Sequence, residues 1–170
     1  MQKHTINPAL DLMIERIIDV PAEQVWQMWT TPEKLMPWFC PRPWKTIACE
    51  IDLRVGGKFH TVMQSPEGET HPNTGCYLEI IPNKKLVWTN AVAPGFRPAT
   101  LPETGLDCGK WAMTAMIMLE PHAAGTQYTA LVMHASQAAK IQHEQMGFED
   151  GWSMCLDQLV AMIKTKSANL

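Results

Sequence analysis

The chain has 170 residues, of which 46% are apolar and 18% are charged, and its net charge at pH 7 is −3. This is the composition of a globular protein, and we expect one domain over residues 1–170 that buries a core without metal or disulfide support. The mildly acidic balance disfavours binding to nucleic acid, which requires clustered basic side chains.

The cysteines and the hydropathy pattern indicate the compartment. The five cysteines include no C-x-x-C pair, so neither a disulfide framework nor a thiolate metal site is indicated. Residues 1–9 contain no basic segment followed by an apolar one. No run approaches the roughly 18 apolar residues of a membrane-spanning helix. We expect a cytoplasmic protein with reduced thiols and no membrane span.

The first predicted elements are a strand and two short helices. Apolar residues of one parity between Leu12 and Val20 predict a strand with one buried face. Arg16 shares that parity and needs a partner or a place at the rim of the strand. Helical spacing predicts a helix over residues 22–30, and a second short helix ends before Pro37.

An antiparallel meander follows these helices. The predicted strands cover residues 46–53, 58–64, 74–81, 86–91, 111–120 and 126–134. Gly56 and Gly57 predict a turn that requires positive backbone angles. Residues 93–110 are rich in proline and glycine and have little periodicity, which indicates a long surface loop that is either a lid or simply mobile.

The C-terminal region is predicted to be helical. Ser136 is a candidate cap for a short helix that ends near Gly147. Beyond it, five apolar residues recur at spacings of four, four, three and four, which places them on one helix face that must pack on the sheet. They are Phe148, Trp152, Leu156, Leu159 and Ile163.

Motifs for metals and cofactors are missing from the sequence. None of the six histidines belongs to an H-x-H or H-E-x-x-H motif, and there is no P-loop, dinucleotide fingerprint or G-x-S-x-G elbow. We therefore expect neither a metal nor a cofactor. A cysteine–histidine nucleophile stays open because spatial neighbours need not be sequence neighbours, although scattered cysteines are more often core residues.

Several short motifs occur in an order that resembles a known family. They are VPAEQVW from Val20, WTTPE from Trp29, GGKF from Gly56, GCYLEI from Gly75 and GFEDGW from Gly147. Together they resemble the START-like (SRPBCC) superfamily, and specifically its branch named after the heat-shock ATPase activator. The similarity spans roughly residues 10–165.

The resemblance implies an α+β helix-grip fold. In this fold a curved antiparallel sheet wraps around a long C-terminal helix, two short helices follow the first strand, and an elongated apolar cavity lies between sheet and helix. Relatives hold lipids, hormones or polyketides there, and some catalyse cyclisation or dehydration.

Three functions are therefore weighed. The first is binding of a small hydrophobic or aromatic molecule in the cavity. The second is a cyclase- or dehydratase-like enzyme, which needs two titratable groups at one site. The third is a chaperone-associated protein-binding domain, with a homodimer left open, and it requires an exposed apolar patch.

Four tryptophans are predicted to contact the ligand. Trp38, Trp88, Trp111 and Trp152 fall on elements expected to border the cavity. Aromatic side chains form an apolar lining, but each of these residues has an alternative role as ordinary core.

Three polar residues on the meander complete the predicted ligand contacts. His60, Tyr77 and Glu79 are expected to face the helix and to orient a polar end of the ligand, and strand parity places Tyr77 and Glu79 on the same face. The alternative for Glu79 is a solvent-facing position or a pairing with Arg16. A desolvated Glu79 would have a raised pKa and would be a candidate general acid or base.

Overall fold

The computed structural model describes residues 4–100 and 111–168 and shows an antiparallel sheet curved around a long C-terminal helix. The helices are α1 (Ala22–Thr30), α2 (Pro32–Leu35), α3 (Gln137–Gln145) and α4 (Phe148–Ala168). The strands are β1 (Asp11–Ile18), β2 (Lys45–Ile51), β3 (Lys58–Gln64), β4 (Thr70–Ile81), β5 (Lys85–Thr89), β6 (Val92–Ala93), β7 (Arg97–Pro98), β8 (Met113–His122) and β9 (Gly125–His134). The predicted α+β helix-grip fold is confirmed.

Seven of the strands form one sheet in the order β1–β9–β8–β5–β4–β3–β2, and every neighbouring pair is antiparallel. The short β6 and β7 form a separate two-stranded sheet. Helices α1 and α2 join β1 to β2, which lie at opposite edges of the sheet, and α3 and α4 follow β9 at the end of the chain.

Strand β1 has one buried and one exposed face, as the alternation of its apolar residues predicts. Leu12 and Ile14 are buried in the core, whereas Met13 and Ile17 on the opposite face are 45% and 55% exposed. Arg16 lies on the inner parity, and its guanidinium reaches the carboxylate of Asp157 on α4 at 2.7 Å. The charge is therefore paired at the rim of the core and not buried alone.

Helix α4 packs its predicted apolar stripe against the sheet, with Phe148, Leu156 and Leu159 buried. It also carries a buried amide, Gln158. The Gln158 Nε2 donates to the carbonyls of Trp38 (3.1 Å) and Cys40 (2.8 Å), and its Oε1 accepts from the backbone N–H of Arg42 (3.2 Å). These bonds fasten the segment between α2 and β2 to the helix.

The predicted loop over residues 93–110 is partly ordered. Its start belongs to the β6–β7 hairpin, which folds back onto the Gly56 turn: the N–H of Gly95 donates to the Gly56 carbonyl at 2.8 Å. A Cβ on Gly56 would lie 2.7 Å from the Phe96 ring, so the absence of a side chain allows this approach. Residues 101–110 lie outside the described residues, and most of the predicted lid lies there.

Candidate functional site

A cavity of about 230 Å³ lies between the concave face of the sheet and α4. Its walls come from β3, β4, β5, β8 and β9 on one side and from α1, the segment after α2, α3 and α4 on the other. The lining is mostly apolar, and six of its aromatic residues are Trp29, Trp38, Phe39, Phe59, Trp88 and Trp152.

The aromatic side chains of the wall contact one another and form a continuous surface. The rings of Trp29 and Trp38 are 4.8 Å apart at an interplanar angle of 72°, and Trp29 is also 5.3 Å from Trp88. Phe59 meets Trp88 edge to face at 5.2 Å and Phe39 at 5.7 Å. Such edge-to-face contacts hold large side chains in fixed orientations, so this wall is preformed.

One position on α4 leaves the cavity open. Gly151 lines it, and a Cβ built on this residue would meet only the Pro41 ring, at 4.0 Å. Gly151 lies inside a helix, where glycine is less favourable than alanine by roughly 0.5–1 kcal/mol. The missing side chain therefore weakens the helix and enlarges the cavity.

Polar side chains are a minority of the lining; they are Thr61, Asn73, Thr74, Asn90, Tyr128 and His143. Asn90 is one, but both ends of its amide are engaged: Nδ2 donates to the Trp111 carbonyl at 2.8 Å and Oδ1 accepts from the Met113 N–H at 2.9 Å. His143 is another, and its Nδ1 is 2.9 Å from Nε2 of His134. Asn90 is therefore held by backbone hydrogen bonds, whereas His143 is a buried lining group whose hydrogen-bond partner is a second histidine.

The thiol near the cavity is not an activated nucleophile. Burial, and then the nearby Cys40, raises the pKa of Cys155 to about 12, so the thiol stays protonated at neutral pH. Burial likewise raises the pKa of Cys40, and it raises the pKa of Cys49 to about 11.

Three of the predicted ligand contacts lie at the cavity: Trp38, Trp88 and Trp152. Trp111 does not line it; this residue is buried behind the wall, with its ring 5.6 Å from that of His143. Tyr77 is also fully buried outside the lining, stacked on Phe59 at 5.6 Å.

His60 and Glu79 lie elsewhere. Strand β3 turns Phe59 and Thr61 toward the cavity, so His60 points away, and its Nδ1 is 2.8 Å from the Thr74 hydroxyl. Glu79 pairs with Lys85 at 2.7 Å and not with Arg16. The expectation that both residues face the helix is wrong, and the enzyme hypothesis loses its two named titratable groups.

The expectation that Tyr77 and Glu79 share a face is also wrong, because β4 contains a bulge. Tyr77 pairs with Trp88, but Glu79 pairs with Val87, so one residue is inserted between them. A bulge inserts one residue and reverses the side-chain alternation beyond it. Tyr77 therefore faces the core, and Glu79 lies on the opposite face of the sheet.

Sequence reasoning missed several of the lining residues. Trp29 and Phe59 carry a signal, because each belongs to a predicted element and is large and apolar. His143 has none: its partner His134 is nine residues away on a strand, and only the α3–β9 packing brings the rings together.

A curved antiparallel sheet that grips a terminal helix, with an apolar cavity between them, defines a protein of the START-like, helix-grip class. The sequence profile of the family "Activator of Hsp90 ATPase homolog 1-like protein" matches residues 19–164. The chain belongs to this family.

Solved structures agree with that assignment. A crystal structure from Nitrosomonas europaea has 44% sequence identity over 96% of this chain and 99% of the other, with a TM-score of 0.88. A Rhodobacter sphaeroides protein (21% identity, TM-score 0.78, 95% and 97% coverage) and an AHSA1-like protein of Aeromonas hydrophila (21%, 0.68, 93% and 94%) share the fold. No functionally curated protein matches the chain.

The described residues contain neither a metal-binding cluster nor a helix suited to crossing a membrane. Within residues 4–100 and 111–168, no group of three or more His, Cys, Asp or Glu side chains is arranged to hold a metal ion. In the same part of the chain, no helix is both long and apolar enough to cross a membrane.

Proposed function

We propose that the protein binds one small hydrophobic or aromatic molecule in the cavity between the sheet and α4. The observation that carries the proposal is the preformed, mostly apolar cavity of about 230 Å³ with its aromatic walls. An apolar cavity of about 150 Å³ accepts benzene. The larger space here has room for a substituted ring or a two-ring molecule.

The energetics favour an apolar guest. Burying apolar surface contributes about 25 cal/mol per Å², and fixed walls reduce the entropy that is lost on binding. The polar groups of Asn90 are already paired, which leaves fewer partners for a guest with several polar groups. Trp38, Trp88 and Trp152 are the proposed contacts.

Native mass spectrometry of freshly purified protein, followed by thermal-shift measurements with a panel of aromatic and fatty compounds, tests the proposal. We expect a co-purifying small mass or a rise in Tm with apolar compounds. Because its side chain grows into the cavity, Gly151→Leu should abolish both effects while the protein stays folded.

The matched control is Met154→Leu on the same helix, at a position that is 42% exposed. This variant should behave like the unaltered protein. Absence of any bound mass together with no Tm shift across the panel would reject the proposal, and so would equal Tm shifts in Gly151→Leu.

A further inference from the structure

His143 lies where α3 meets the cavity, and its hydrogen bonds form a short chain. Its Nδ1 is 2.9 Å from Nε2 of His134, and Nδ1 of His134 is 2.9 Å from the Leu10 carbonyl oxygen. Both histidines are buried, with exposures of 4% and 5%. The rings of Trp111 (5.6 Å) and Phe148 (5.1 Å) flank His143 and fix its orientation.

The chain determines which ring nitrogens carry protons. The Leu10 carbonyl only accepts, so Nδ1 of His134 is its donor. In a neutral imidazole the other nitrogen is then an acceptor, so Nδ1 of His143 donates to Nε2 of His134. It follows that Nε2 of a neutral His143 has a free lone pair.

Burial favours the neutral form of both rings. Burial and then the adjacent His134 lower the pKa of His143 to about 4. Burial also lowers the pKa of His134, against weaker opposing effects of the Leu10 carbonyl and Asp11, with Lys140 acting in the same direction as burial. No hydrogen bond involves Nε2 of His143 among the described residues, although this side chain lines the cavity.

We propose that Nε2 of His143 is a hydrogen-bond acceptor for the guest, and that the bound molecule is an apolar ring compound carrying a hydroxyl or N–H donor. This inference rests on the proposed function and adds the chemical class of the ligand. A donor satisfies the lone pair, whereas a carboxylate or ether oxygen would place a second acceptor against it. The chain Leu10–His134–His143 acts as the positioning device, because it holds the tautomer that presents the lone pair.

Isothermal titration at pH 7.5 with size-matched probes tests the inference. The probes are 2-naphthol (donor), 2-methylnaphthalene (no polar group) and 2-naphthoate (acceptor only). The substitution His143→Phe should lower the affinity for 2-naphthol by roughly three- to tenfold, which is the effect of losing one hydrogen bond. It should leave 2-methylnaphthalene within about twofold, and 2-naphthoate should bind more weakly than 2-naphthol to the unaltered protein.

A second measurement needs no variant. In ¹⁵N-histidine NMR of the unaltered protein at pH 7, we expect His143 to be protonated at Nδ1 and unprotonated at Nε2. Addition of 2-naphthol should shift the Nε2 resonance, and 2-methylnaphthalene should not do so. A protonated Nε2 would overturn the inference.

The outcomes separate the two proposals. If 2-naphthol and 2-methylnaphthalene both bind and His143→Phe weakens them equally, only the donor inference is overturned. Tighter binding of 2-naphthoate than of 2-naphthol would also overturn only the donor inference. If no probe binds the unaltered protein, the proposed function is rejected and the donor inference is rejected with it.

Discussion

Close backbone packing around Gly57 disfavours any side chain at this position. A Cβ there would lie 2.0 Å from the Asp52 carbonyl oxygen and 2.8 Å from that of Arg54, both backbone atoms. The turn must move to accept a methyl group, and overpacking of this kind costs roughly 1–3 kcal/mol. Gly57→Ala should therefore lower the free energy of unfolding in urea.

The matched control for that prediction is Gly151→Ala on α4. Its Cβ meets only open space and the Pro41 ring, and helix propensity favours alanine. The free energy of unfolding of this variant should be higher by roughly 0.5–1 kcal/mol. Equal effects of the two substitutions would contradict the assignment of Gly57 to a backbone clash.

The buried histidine pair should make stability depend on pH. His143 has a folded pKa of about 4, below its ordinary value of 6.5, so the unfolded chain binds its proton more readily. The stabilisation is complete above about pH 6.5 and is lost as the pH falls toward 4, by a few kcal/mol at about 1.4 kcal/mol per pKa unit. Urea unfolding at pH 7.5 and pH 5 measures this loss.

His143→Phe separates this effect from the carboxylates that titrate in the same range. The loss of stability between the two pH values should be smaller in the variant than in the unaltered protein. An identical loss in both proteins would show that His143 does not carry the effect.

At the level of elements, Gln158 links α4 to the segment that supplies Trp38 to the cavity wall. Its amide satisfies two carbonyls and one N–H in a buried position. Gln158→Leu removes these bonds and leaves buried polar groups unpaired, which costs roughly 1–3 kcal/mol for each group that water cannot reach. The urea midpoint should fall accordingly.

The control is Met154→Leu, about one helical turn before Gln158 and 42% exposed, and it should leave the midpoint nearly unchanged. If Gln158→Leu were as stable as this control, the amide would contribute little, and the anchoring of the wall would come from apolar packing alone.

The elements themselves were largely predictable, and the site was predictable only in part. Period-2 and helical apolar patterns are local, so β1 and the Phe148 stripe follow from the sequence. The bulge in β4 is not local: it appears only in the pairing of Tyr77 and Glu79 with β5. A single inserted residue therefore places Glu79 on the face of the sheet opposite to the predicted one.

The pairing of His134 with His143 shows the same limit. These residues lie on a strand and a helix whose relative placement is a property of the tertiary structure, and no spacing rule connects them. Large aromatic residues are easier to assign, because burial is their default, and three of the four predicted tryptophans line the cavity.

For the whole molecule, membership of the family accounts for the fold. A homodimer and a chaperone-associated role stay predictions. Size measurement in solution, with and without a bound ring compound, addresses the first of these. The cavity itself needs no second copy, since its walls come from one chain.

Calorimetric titration of naphthalene into the unaltered protein and into Gly151→Leu tests the central claim most directly. We predict saturable binding of one molecule per chain with a negative heat-capacity change, the mark of apolar burial. In Gly151→Leu, where leucine occupies the cavity, the affinity should fall by at least about tenfold. Unsaturable heats in the unaltered protein, or equal affinities in the two proteins, would contradict the claim.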